Sequence, residues 1–213
     1  MNYEYLVFDL DGTISDPKAG ITQSINYALE HHHFDPLPQD ELSRFIGPPL
    51  DKTFAELTRN SDPGLITSLV EKYRERYGDI GFSENVLYEG IESTLMELHD
   101  RQNCKLGVCT SKRGDFAVKI LDMFGLIDLF SFVNGAEIGI EKWQQLENLL
   151  NDGVISRNSI MIGDRSNDLH AANHNHLDSA GVLWGYGSRA ELEKERPGHI
   201  LQYPQELLSL IPV

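Results

Sequence analysis

The stretch Tyr5-Leu6-Val7-Phe8-Asp9-Leu10-Asp11-Gly12-Thr13 decides the fold. Four apolar residues lead into two carboxylates separated by one residue, and a Gly-Thr turn follows. A short apolar run closed by a turn signal reads as a buried strand. Side chains along a strand alternate, so Asp9 and Asp11 face the same space if the extended conformation continues. Two close carboxylates repel unless a cation or a shared proton holds them. Strand tips in open α/β sheets are also where ligands bind. The pair therefore points to a hard metal ion, with one carboxylate as nucleophile and the other as acid/base. The plain alternative is an exposed acidic turn, and the rest of the chain has to decide.

Beyond this stretch, short apolar runs alternate with segments of helical period, the pattern of a parallel sheet covered on both faces. The predicted strands are Tyr5–Phe8, Lys105–Thr110, Phe130–Val133, Ser159–Ile162 and Ala180–Leu183. Helices are predicted over Ile91–Leu98 and Asp115–Phe124, the second capped by Asp115 and ended by Gly125. Trp143, Leu146, Leu149 and Leu150 form a further helical face. The expected fold class is α/β, a doubly wound (Rossmann-like) parallel sheet.

From about Ser15 to Asn85 the alternation stops, and no convincing strand is visible. Asp16-Pro17 reads as a helix start, with Ile21, Ile25, Ala28 and Leu29 as its apolar face. Asp62-Pro63 starts another helix, with Gly78 as its stop. So long a segment is not a loop in a compact domain. The expected organisation is an α/β core of residues 1–14 and 86–213 with an all-helical subdomain inserted at 15–85.

The chain has 213 residues and a net charge of −15, from 33 acidic and 18 basic residues. That balance argues against nucleic acid polymers and anionic membranes as partners. An anionic substrate would need local positive charge from a metal, a lysine or helix N-termini. No apolar run is long enough to span a bilayer, and Met1-Asn2-Tyr3-Glu4 is unlike a signal peptide. Cys104 and Cys109 make neither a CxxC pair nor a zinc pattern, so reduced, structural cysteines in a cytoplasmic protein are expected.

Two further motifs carry chemistry. In Ile160-Met161-Ile162-Gly163-Asp164-Arg165-Ser166-Asn167-Asp168 a second carboxylate pair follows an apolar strand. Several carboxylates without Cys or His suit Mg²⁺. Leu106-Gly107-Val108-Cys109 ends in Thr110-Ser111-Lys112, where a hydroxyl and backbone N–H groups can hold a phosphate oxygen or simply cap a helix.

With Asp9-Leu10-Asp11-Gly12-Thr13, Thr110, a lysine, and Gly163-Asp164 with Asp168 in that order, the chain resembles the haloacid-dehalogenase-like superfamily of phosphatases over essentially its full length. Its insertion at 15–85 looks like the helical cap of the phosphoglycolate-phosphatase-like and β-phosphoglucomutase-like branch, which makes the rest the catalytic core. Phe45-Ile46-Gly47-Pro48-Pro49-Leu50 and Tyr88-Glu89-Gly90 look closest to phosphoglycolate phosphatases and related nucleotidase-like members. The resemblance implies a Mg²⁺-dependent phosphomonoester hydrolase for a small phosphorylated metabolite, phosphoglycolate first. It implies Asp9 as nucleophile, Asp11 as acid/base, and Thr110 and Lys142 as ligands of the transferring phosphoryl group. The metal residues would be Asp9, Asp11 through its backbone carbonyl, Asp164, and Asp168 in a supporting role. Ser111 would add to phosphate binding. Lys18, Arg44 and Gly47 would read the leaving group if the cap closes over the site; the alternative for Arg44 and Gly47-Pro48-Pro49 is a structural turn between two helices.

One departure bears on the branch. Phosphoglycolate phosphatases place the third-motif lysine before proline, whereas Lys142 precedes Trp143. Lys112 is the competing lysine, otherwise a surface charge together with Arg113. Alternatives are a nucleotidase- or pyrophosphatase-like member, a β-phosphoglucomutase-like phosphotransferase, and a non-catalytic binding protein. A dehalogenase is disfavoured by Asp11. The oligomeric state expected is monomer or homodimer. His31-His32-His33 reads as a solvated helix end, and His170, His174 and His176 as surface residues, not a transition-metal site.

Overall fold

The computed structural model describes residues 3–136 and 139–211. The chain divides into two compact units, residues 1–16 with 87–213 and residues 17–86.

The first unit is built on a six-stranded sheet. Its strands are β1 (Tyr5–Phe8), β4 (Lys105–Cys109), β5 (Phe130–Asn134), β6 (Ser159–Gly163), β7 (Asp178–Val182) and β8 (His199–Leu201). They lie in the order β5-β4-β1-β6-β7-β8, every neighbouring pair parallel. This is the doubly wound α/β class. Two two-residue strands, β2 (Ser15–Asp16) and β3 (Val86–Leu87), mark where the chain leaves and re-enters this unit. The Tyr88 N–H donates to the Ile14 carbonyl beside that crossing (3.4 Å).

β1 is fully covered because it lies at the centre of the sheet. Tyr5 and Val7 pack with Leu146 and Leu149 of α7 (Lys142–Asn151) and with Ala171 and Ala172 of α8 (Ser166–His174). Leu6 and Phe8 point to the opposite face and are solvent-free. The remaining core helices are α5 (Ile91–Asp100), α6 (Gly114–Met123) and α9 (Arg189–Lys194). Register sets the chemistry: Phe8 lies level with Val108 of β4 and Ile162 of β6. Asp9, Thr110 and Asp164 therefore emerge together at the carboxyl ends of three adjacent strands. Here the strand order reverses about β1, the position where such sheets bind ligands.

The second unit holds α1 (Lys18–His31), α2 (Gln39–Leu42), α3 (Leu50–Thr58) and α4 (Pro63–Asp79). Ile21, Ile25, Ala28 and Leu29 of α1 and Leu69, Tyr73 and Tyr77 of α4 are buried. Tyr73 stacks on Tyr77 (5.4 Å between ring centroids), and Arg76 grips both oxygens of Glu84.

Several boundaries differ from expectation. Gly78 lies inside α4, which ends one residue later, so it does not stop the helix. Asp115 lies inside the first turn of α6 and pairs with Arg113 instead of capping. Pro17 stands at the cap of α1 and not at its first position, and Asp16 belongs to β2, its carboxylate accepting a hydrogen bond from the Tyr186 hydroxyl. β8 had no prediction, since three residues at a sheet edge carry too little hydrophobic period.

Candidate active site

Asp9 sits one residue past β1, and its N–H still pairs with the Ile162 carbonyl (2.9 Å), so the extended ladder carries it to the sheet's edge. Its Oδ1 accepts the Leu10 N–H (2.8 Å) and lies 3.0 Å from Lys142 Nζ. Beyond Asp9 the chain turns sharply. Gly12 has φ +88°, and a Cβ there would lie 2.3 Å from the Asp164 carboxylate. Only glycine lets the turn pass this close to the second motif.

Asp164 is fully buried just past β6. Its Oδ2 accepts the Tyr186 N–H (2.8 Å), and its Oδ1 the Thr13 hydroxyl (3.4 Å). Asp168 lies in the first turn of α8, where its Oδ2 takes the Arg165 N–H (3.0 Å). Its Oδ1 is 2.5 Å from Lys142 Nζ. Lys142 opens α7, whose start is fixed by a capping box in which Gln144 accepts the Glu141 N–H (2.9 Å). The ammonium thus bridges Asp9 and Asp168, with its side chain only 1% exposed.

The electrostatics are unbalanced. Burial raises Asp164 well above the ordinary carboxylate range, and the negative charges of Asp168 and Asp9 push the same way. Burial lifts Asp168 to about 6, against the pull of Lys142. Burial opposes the charge on Lys142, but Asp168 and Asp9 outweigh it and hold the lysine charged. One oxygen from each of Asp9, Asp164 and Asp168 falls within 4.8 Å of the others, the one such cluster among the described residues. A buried, all-oxygen set with more negative charge than its single lysine offsets fits a hard divalent cation.

The Asp11 carboxylate lies outside that cluster. Its Oδ2 pairs with Lys112 Nζ at 2.8 Å. Burial raises its pKa, and Lys112 counteracts in part. Lys112 is therefore not the surface charge expected beside Arg113: its side chain is 6% exposed, while Arg113 stays on the surface with Asp115. The two lysines serve different carboxylates.

Thr110 is buried at the end of β4, its N–H on the Asn134 carbonyl (3.0 Å) and its Oγ1 accepting the Lys112 N–H (3.2 Å). Ser111 follows it, exposed. In the helical unit Lys18 pairs with Asp40 (2.6 Å), Arg44 pairs with Glu56 (3.2 Å), and Gly47 has φ +106°. The histidines stay apart from this chemistry: His174 lies tilted against the Trp143 ring, His170 faces Glu195, and His32 meets Ser68.

Two supports complete the site: Gln145, which was not singled out from sequence, and the 184–187 loop, expected to lie beside the site. Gln145, one helical turn after Lys142, donates to the Thr110 carbonyl (3.3 Å) and to Asn134 Oδ1 (2.8 Å). Its spacing from Lys142 was the available signal. Tyr186 joins Asp164 to Asp16, and Trp184 Nε1 donates to the Thr13 carbonyl (2.9 Å), so the 184–187 loop clamps the first motif.

Residues 6–182 match the family model of haloacid dehalogenase-like hydrolases. The chain belongs to this family, and its class is that of a phosphatase. It is 36% identical over 203 residues to a 5'-nucleotidase of Pseudomonas aeruginosa, covering 93% of this chain and 91% of the relative. It is 30% identical to a pyrophosphatase PpaX of Bacillus pumilus, with 97% and 95% covered. The crystal structure of a predicted phosphatase from Clostridium acetobutylicum superposes with a TM-score of 0.91 at 34% identity, covering 98% of each chain.

Proposed function

We propose that this protein is a Mg²⁺-dependent phosphomonoester hydrolase that works through a phosphorylated Asp9, with phosphoglycolate as its leading substrate. The observation that carries the reading is the buried cluster of Asp9, Asp164 and Asp168 around Lys142 at the strand tips. A carboxylate oxygen of Asp9 attacks phosphorus in line, and the ester P–O bond breaks. Asp11 gives its proton to the departing oxygen, releasing an alcohol, then takes one from water as that water's oxygen attacks phosphorus. The Asp9–phosphorus bond breaks, and inorganic phosphate leaves with Asp9 and Asp11 restored. Thr110, Ser111 and Lys142 hold the phosphoryl oxygens as charge spreads over them. Asp9, Asp164 and the Asp11 carbonyl would hold Mg²⁺, with Asp168 in support. When bound, the ion supplies Lewis acidity and offsets repulsion between Asp9 and the phosphate.

We assign recognition of the leaving group to Lys18, Arg44 and Gly47 of the helical unit, and place the enzyme in the cytoplasm as a monomer or homodimer. A second reading, a nucleoside 5'-monophosphate substrate, is favoured by the Pseudomonas aeruginosa relative and by Trp143 where the phosphoglycolate branch has proline. The test is inorganic phosphate release from a panel of phosphorylated metabolites with Mg²⁺, compared with Asp9→Asn. Phosphoglycolate should give the highest kcat/KM, and Asp9→Asn should release nothing. A higher value for a nucleoside monophosphate selects the second reading. Equal release by Asp9→Asn removes the nucleophile assignment, and sugar phosphate isomerisation without release makes the protein a mutase.

A further inference from the structure

We infer that Lys112 is a positioning residue for Asp11, clamping one carboxylate oxygen so that the other is the one that exchanges a proton with the leaving group. The inference deepens the phosphatase reading and rests on it. Three observations carry it. The Lys112 backbone is fixed on both sides: its N–H donates to Thr110 Oγ1 (3.2 Å), and its carbonyl accepts the Ala136 N–H (2.9 Å). The side chain is buried and places Nζ 2.8 Å from Asp11 Oδ2. Asp11 Oδ1, equally buried, has no hydrogen-bond partner.

A buried acceptor without a donor is costly and rare in folded proteins. Here the asymmetry has a chemical use. The Asp11 backbone is held too, because the adjoining Gly12 N–H closes the turn on the Ser15 carbonyl (2.8 Å). With backbone and Oδ2 both pinned, Oδ1 is the oxygen left to carry the proton to the ester oxygen and later to take one from water. Lys142 cannot do this work, since its ammonium is engaged by Asp9 and Asp168. Lys112 touches neither reacting atom in this arrangement. It acts through Asp11.

A role confined to proton transfer has a distinctive signature. An alkyl phosphate needs its leaving oxygen protonated, whereas p-nitrophenolate leaves as an anion. General acid–base catalysis contributes about 10²–10⁴-fold where it operates. The later hydrolysis of phosphorylated Asp9 is common to every ester, so the esters are compared through kcat/KM, which reports the steps up to departure of the leaving group. In Lys112→Met, kcat/KM for an alkyl phosphate such as phosphoglycolate should fall by roughly 10²-fold or more. With p-nitrophenyl phosphate it should fall by less than about tenfold. The ratio of kcat/KM for p-nitrophenyl phosphate to that for the alkyl ester should rise in the order wild type, Lys112→Arg, Lys112→Met, since arginine restores the charge but not the reach. Should Lys112→Met fail to fold, judged by circular dichroism and thermal unfolding, the ratio in Lys112→Arg against wild type decides alone.

Equal losses of kcat/KM on both esters would overturn the inference and make Lys112 merely structural. A KM rise on both esters with kcat unchanged would also overturn it and make Lys112 a phosphate ligand. The phosphatase reading has its own control: wild type must hydrolyse p-nitrophenyl phosphate and the alkyl ester that ranks highest in the substrate panel, and Asp9→Asn neither. Failure of that control removes the reading itself, whatever Lys112 does.

Discussion

Lys142 is a buried cation with two anionic neighbours, so what its removal does depends on what is left behind. A buried pair adds little over an apolar substitute, but breaking one leaves an uncompensated charge. In Lys142→Met, Asp9 and Asp168 face each other without the ammonium between them. The expected loss of stability, read by urea unfolding without divalent cations, is about 3 kcal/mol. Phosphate release should drop by at least about 10²-fold, because a donor aimed at developing charge is lost. Unchanged stability would mean that the ion pairs at 3.0 and 2.5 Å do not persist in solution. Lys142 was legible from its place at a helix start before the Gly-Asp motif. Lys112 was not legible as a buried residue, because burial depends on how the turn after β4 meets the turn after β1. Nor was the Tyr186–Asp16 bond, whose partners lie 170 residues apart.

At the scale of elements, the site depends on how α8 begins. Its N-terminus is served from another helix: Glu191 of α9 accepts the Ser166 N–H (2.9 Å) and Arg165 Nε (3.0 Å). Burial works against the Glu191 charge, but the Ser166 N–H and Arg165 together hold its carboxyl below the ordinary range. A folded-state pKa lowered in this way adds stability above the unfolded value of about 4.3, lost as pH falls through the folded value. Glu191→Gln should therefore cost about 1–2 kcal/mol near pH 7, the size of a charge-assisted cap. Once the pH is low enough to protonate Glu191 in the folded state as well, the variant and wild type should unfold together. A constant gap at all pH values would show that shape and not charge does the capping. The strands leading to the site were legible because β1, β4 and β6 are buried on both faces and read as unbroken apolar runs. The edge strand β8 and the two-residue β2 lack such runs. α9 had no sequence signal tying it to α8.

At the scale of the whole molecule, the chain carries a net charge of −15 and still gathers three buried carboxylates at one place. Global repulsion and local repulsion add, so the folded state without a cation is held below the stability its packing would give. A ligand that binds only the folded state stabilises by RT ln(1 + [L]/Kd), about 2.7 kcal/mol at a hundredfold excess over Kd. For a chain of this size that corresponds to a rise in Tm of roughly 5–10 °C. Saturating Mg²⁺ should produce this rise in wild type, read by differential scanning calorimetry. Asp164→Asn should behave in the opposite way: more stable than wild type in EDTA, because one buried charge is gone, and nearly indifferent to Mg²⁺. The two halves of the result separate causes. A Mg²⁺ shift that survives in Asp164→Asn would trace the stabilisation to screening of the overall acidic surface, which also predicts that sodium chloride at equal ionic strength does the same. A shift abolished by the substitution and not reproduced by sodium chloride locates the cation among Asp9, Asp164 and Asp168. In that case the acidity that repels an anionic substrate at long range is what creates, at the strand tips, the cation site that attracts it at short range.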